Sequence, residues 1–184
     1  MIVLENYVKA VLYAYPLLKT VEEDYAQHIE NKAVLSYRSN KTAEEVAYAI
    51  VSEIMEERNL LWLKSLIEQT LQKFTEAERL LISVRSFGKE RKIKRPLLRE
   101  TYGAWSERKY FRDQARIGGR FERFLRGAGL TKELFERDFA ELPFFKKIYS
   151  FVCAGKDRAI TQSERRWLGV IAKSGGGKKG RGIS

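Results

Sequence analysis

The chain has 184 residues, with 35 Lys and Arg against 24 Asp and Glu, a net charge of +11, 44% hydrophobic and 12% aromatic residues, and a single cysteine. That apolar share excludes wholesale disorder, and one cysteine excludes an intrachain disulfide. The N-terminus has no basic leader, and Glu5 and Lys9 interrupt its apolar stretch, so neither a signal peptide nor a bilayer span is expected and the compartment expected is the cytoplasm. The charge divides unevenly: residues 1–74 are net −3, residues 85–126 are net +9 with fourteen cations against five acids, and residues 127–184 are net +6. An acidic scaffold or partner-binding part ahead of a polyanion-binding part is the organisation this implies.

Leu4, Val8, Val11, Tyr15, Leu18, Tyr25 and Ile29 recur at helical spacing and predict one long amphipathic helix, bent near Pro16. Thr42 and Glu45 form a capping box that opens a second helix. Its inner face takes Val46, Ile50 and Ile54, then Leu60, Leu63, Ile67, Leu71 and Phe74 after the polar run 56–59. This segment is one long helix, or two in line, packed antiparallel on the first as a hairpin. Thr75 and Glu78 open a third helix, ending near Gly88, that turns Ala77, Leu80, Leu81 and Val84 inward. After a charged loop, a short helix tolerates Pro96 in its first turn and packs Leu97, Leu98 and Tyr102 inward. Gly103 turns the chain, and Ser106 caps a helix running to about Arg126, with Gly127 and Gly129 as stops. Thr131 caps a helix that ends before Pro143, Phe144 to Val152 form another, and Thr161 with Glu164 open a last one. The tail from Ser174 is glycine-rich and basic. The fold class is therefore all-α: an N-terminal helical hairpin (1–73), a helix-turn-helix region (74–129), a C-terminal helical extension (130–173) and a flexible basic tail (174–184).

The helix from Ser106 carries the functional signal. Arg108, Arg112, Arg116 and Arg120 fall four apart, which is one face of a helix. On a wheel of about 100° per residue, Tyr110, Gln114, Gly118, Phe121 and Leu125 form the opposite, core-facing side. Glu107, Asp113 and Glu122 are too few to neutralise these cations. A charged helix face is ordinarily a solvated face with mixed signs, but an arginine ladder short of acids points to a polyanion. Gly118-Gly119 within the helix implies a close helix contact or a kink.

The layout of a helix from Thr75, a loop, a short helix and a capped basic helix is that of a helix-turn-helix, whose second helix enters the major groove of DNA. Arg108, Lys109 and Arg112 would then face base edges, Ser106 and the adjacent backbone N–H groups would take a phosphate, and Arg116 and Arg120 would lie nearer the DNA backbone. Lys92, Lys94 and Arg95 of the preceding basic stretch are further DNA-contact candidates.

The run Phe74-Thr75-Glu76-Ala77-Glu78-Arg79-Leu80-Leu81 resembles the opening of region 4 of bacterial sigma factors. Trp105-Ser106-Glu107-Arg108-Lys109-Tyr110-Phe111-Arg112-Asp113-Gln114 is similar to the recognition segment of the phage ArpU/RinA-type transcriptional regulators. The resemblance covers about residues 74–126 and implies a promoter-binding regulator of phage or prophage transcription, with the acidic N-terminal helices meeting RNA polymerase or a second copy of the chain. The sequence departs from the motif at Arg99 and Glu100, where a small residue is the rule. Two other classes stay open: a structural or packaging protein that binds nucleic acid with little sequence choice, such as a small terminase-like subunit, and a helical protein-interaction module.

No catalytic constellation is evident, and enzyme activity, a cofactor and a metal are not expected. His28 is the only histidine and reads as structural or surface, with no metal-ligand spacing around it. Cys153 reads as a buried small hydrophobe. The glycine cluster 175–180 follows no strand and opens no helix, so it is not a phosphate loop. Trp105, Trp167 and Phe144-Phe145 read as core, although Phe144-Phe145 with Tyr149 could seat a partner helix.

Overall fold

A computed structural model describes residues 4–35, 40–86, 94–98, 100 and 106–156. Among the described residues the protein is all-helical, without a strand. The elements are α1 (Asn6–Leu35), α2 (Ala43–Gln72), α3 (Glu76–Ser86), a short helical turn at 94–98, α4 (Glu107–Gly127), α5 (Lys132–Asp138) and α6 (Pro143–Cys153). None of these helices is long and apolar enough to cross a membrane. Lys92, Tyr102, Gly103, Trp105, Trp167, the Thr161–Glu164 box and the basic tail lie outside the described residues.

Local chemistry sets the helix starts. Thr42 Oγ1 accepts the Glu45 amide while the Glu45 carboxylate accepts the Thr42 amide at 2.9 Å, the reciprocal bonds of a capping box. Thr75 and Glu78 make the same pair at 3.2 and 3.3 Å. Thr131 caps α5 through the Leu134 amide, and Pro143 occupies the first turn of α6, where its missing N–H has no intrahelical acceptor to lose. Gly129 has φ +96°, a conformation that costs glycine nothing, and turns the chain from α4 into α5.

α1 continues uninterrupted through Pro16, and α2 packs antiparallel on it. Their outer and inner ends differ. Near the core, Tyr7, Val8, Val11, Ala14 and Leu18 of α1 meet Leu60, Leu63, Ile67 and Phe74 around the α2 end, all buried. Beyond, no described side chain between residues 20 and 34 or between 43 and 59 is fully buried. This half is a two-helix arm. Val46 and Ile50 are half-buried there, but Ile54, expected inside, is 38% exposed, because a two-helix arm has no third layer to cover it. Polar pairs bridge the arm instead. Lys64 donates to Glu22 at 2.7 Å, Tyr25 donates to Glu56 at 3.1 Å, Lys32 pairs with Glu53, and His28 lies 3.6 Å from Glu53. His28 is accordingly a surface residue.

α5 and α6 close the other side of the core on α1. Phe135 packs against Tyr7 with ring centroids 6.0 Å apart and edge-on to Phe145 at 5.4 Å, while Phe139 stacks on Trp62 at 6.4 Å. Phe145 is fully buried, and Phe144 and Tyr149 are half-buried beside it. Cys153 is exposed rather than buried, because as the last residue of α6 it sits about 100° round the helix from the buried Val152, at the margin of the packing on α1, where its sulfur accepts a hydrogen bond from Asn6 at 3.7 Å. Where the arm leaves the core, Asp24, Glu53, Glu56, Asp138 and Glu141 border an open cleft of about 780 Å³. Among the described residues, no group of three or more His, Cys, Asp or Glu could hold a metal ion.

Candidate nucleic-acid interface

α4 is built with two faces. Tyr110, Gln114, Ile117, Gly118, Phe121 and Leu125 are buried, as their spacing requires, and Arg108, Lys109, Arg112, Arg116 and Arg123 are exposed. Three contacts fix its rotation. Gln114 Nε2 donates to the Leu81 carbonyl of α3 at 3.1 Å, so the one polar side chain of the inner face is satisfied. Phe74 at the α2 end meets Phe121 at 6.2 Å and Phe124 edge-on at 5.7 Å. At Gly118 an added Cβ would lie 2.9 Å from the Leu4 side chain, so the glycine marks a close approach between α4 and the residues leading into α1.

The cations divide along the helix. From Arg116 onward, Arg116, Arg120 and Arg126 are paired with acids from α3, from the residue ahead of α1 or from α4 itself, while Arg123 donates only to the Gly119 carbonyl at 3.3 Å. Arg120 donates to Glu78 of α3 at 2.5 Å and lies over the Phe74 ring at 4.8 Å. Arg116 lies 3.8 Å from the same carboxylate and 3.6 Å from Asp113. Arg126 pairs with Glu5 and with Glu122 at 2.9 Å, and donates to the Tyr7 hydroxyl at 3.4 Å. The sequence-based expectation of a ladder short of acids therefore holds for only part of α4: it omitted Glu78 and Glu5, which chain folding brings in. These contacts hold the Arg126 guanidinium above the usual arginine range, Tyr7 first and Glu5 next.

Ahead of Arg116 the cations are exposed. Among the described residues, neither Arg108 nor Arg112 has an ion-pair partner. Ser106 caps the helix, its Oγ accepting the Lys109 amide at 3.3 Å. The remaining N–H groups of the first turn and the positive end of the helix dipole point the same way. Cations at a helix N-terminus oppose that dipole, and Glu107 is the only acid in the turn. A phosphate there would meet aligned N–H donors and guanidinium groups together.

The preceding basic stretch contributes less open charge. Lys94 is half-buried, and Arg95 is half-buried with Nε and Nη2 shielded from solvent. Leu98 is buried, but Leu97 is 50% exposed rather than inward, because neighbours in a single helical turn point about 100° apart and only one can reach the core. Of the two residues standing where the motif takes a small one, Glu100 is exposed and Arg99 lies outside the described residues. No family model, curated protein or solved structure matches the chain.

Proposed function

We propose that the chain is a cytoplasmic, double-stranded-DNA-binding transcriptional regulator of the phage or prophage kind, which lays the N-terminal half of α4 in the major groove. One observation carries the reading: Arg108 and Arg112 stand one turn apart, exposed and without an ionic partner among the described residues, on a helix whose start is capped by Ser106. Arginine presents two parallel donors to guanine O6 and N7, so two such side chains one turn apart suit base reading as well as phosphate binding. Lys109 adds charge on the same turn. Arg116 and Arg120 serve a different role in this reading: they lock α4 to α3 through Glu78, which orients the reading end. The likeness of residues 74–126 to sigma region 4 and to ArpU/RinA-type regulators supports the same conclusion, and RNA polymerase is the partner it implies.

The test is a binding selection from genomic fragments at near-physiological salt, run with the wild-type protein and with Arg108→Ala/Arg112→Ala. An enriched motif that the double variant loses is expected. Enrichment without any shared motif would replace regulation with sequence-blind packaging, and no enrichment would remove DNA as the ligand.

A further inference from the structure

The outer face of the arm carries a pattern that the DNA-binding reading does not use. Glu44, Tyr48, Val51, Met55, Arg58 and Trp62 of α2 follow one another at spacings of four, three, four, three and four, and all six are exposed. Tyr48 is 79%, Met55 61% and Val51 54% exposed, and Trp62 retains 42% despite its stack on Phe139. Alternating steps of three and four make a single seam, the arrangement by which one helix interlocks with another. The seam is about 27 Å long at 1.5 Å per residue. It lies opposite the side through which Glu53, Glu56 and Lys64 reach α1, so the hairpin partner cannot cover it.

We propose that this seam is the interface of an antiparallel homodimer, in which the α2 helices of two copies cross about a two-fold axis near Glu53. The charges select both occupant and direction. The seam has one acid at its first position and one base at its fifth, and among the described residues neither Glu44 nor Arg58 has an ion-pair partner. A parallel second copy sets Glu44 on Glu44 and Arg58 on Arg58. An antiparallel copy in the register that uses all six positions sets Val51 against Met55, Tyr48 against Arg58 and Glu44 beside Trp62, one turn from Arg58 of the opposite helix. Each guanidinium then finds an aromatic face and a carboxylate. The contact is isologous and closes at two copies.

Sedimentation equilibrium on the full chain, without DNA, tests this independently of the DNA-binding reading. The wild type is expected to be a dimer at micromolar concentration. Met55→Glu, which buries a charge twice per dimer, is expected to weaken association by on the order of 100-fold while circular dichroism stays helical. Glu44→Arg should weaken it several-fold, and adding Arg58→Glu should restore it. In a Cys153→Ser background, oxidising a mixture of Val51→Cys and Met55→Cys proteins should give the mixed disulfide in preference to either self-pair. A monomeric wild type overturns the proposal. So does a dimer that Met55→Glu leaves intact, which would place the interface elsewhere, or Val51→Cys cross-linking chiefly to itself, which would mean a parallel pair.

Discussion

Glu78 performs three tasks with one carboxylate. It closes the capping box with Thr75, and it receives both Arg120 and Arg116. Its side chain is only 11% exposed, so the ion pair with Arg120 is sheltered from solvent and worth more than an open surface pair. Glu78→Ala is expected to cost on the order of 2 kcal/mol in denaturant unfolding, from the lost cap and from leaving Arg120 over Phe74 without its anion. Glu78→Gln is milder, because the amide oxygen can still accept from the Thr75 backbone. It also releases Arg116 and Arg120, so DNA binding should depend more steeply on salt, by up to about 0.9 in log–log slope per added phosphate contact, while preference for a specific site falls with the lost lock on α4. Gly118 sets a different limit. Alanine there gains about 1 kcal/mol of helix propensity but meets the Leu4 side chain, Cδ1 at 2.9 Å and Cγ at 3.1 Å, which must shift to admit it, so the two effects offset and Gly118→Ala should change the melting temperature little. Gly118→Leu should cost about 1–3 kcal/mol, as overpacking does.

α4 and the arm show how far each element can be read from its own residues. The caps at Thr42, Thr75, Ser106 and Thr131 and the buried face of α4 are legible in the sequence, since each depends on neighbours three or four positions away. The partner of Arg120 is not, because Glu78 lies 42 residues earlier and only the packing of α3 on α4 brings it there. Ile54 failed for a related reason: hydrophobic spacing says which side a residue faces, and not whether anything lies on that side, whereas Leu97 and Cys153 each sit about 100° round the helix from a buried neighbour. The arm also carries a titrating group. Burial first, and the Glu56 carboxylate second, push the Tyr25 phenol from 10.0 up to about 12. Its folded pKa exceeds its unfolded one, so the stability it confers is complete below pH 10.0 and is lost as pH rises through about 12. The melting-temperature gap between wild type and Tyr25→Phe should therefore narrow across that window.

The whole molecule separates its charge by place. The acidic arm projects from one end of a shared aromatic core, and α4 lies across the core with Arg116, Arg120 and Arg126 neutralised and Arg108 and Arg112 exposed nearer its start. This sharpens what net charge alone suggested: of the seven cations on α4, Arg108 and Arg112 near its start are offered to a ligand, and Arg116, Arg120 and Arg126 toward its end hold the fold together. The two groups should separate experimentally. Arg116→Ala/Arg120→Ala should lower stability, whereas Arg108→Ala/Arg112→Ala should leave the melting temperature within a degree or two and act on binding. The most direct measurement is a salt titration of duplex-DNA binding by fluorescence anisotropy, comparing wild type with Arg108→Ala/Arg112→Ala. The expected result is a wild-type affinity that falls steeply with salt and a double variant whose log–log slope is shallower by up to about 1.8, about 0.9 for each lost phosphate contact. A wild-type protein that ignores duplex DNA at low salt, or a double variant with unchanged affinity and slope, would contradict the assignment of the α4 N-terminus as the DNA-binding surface.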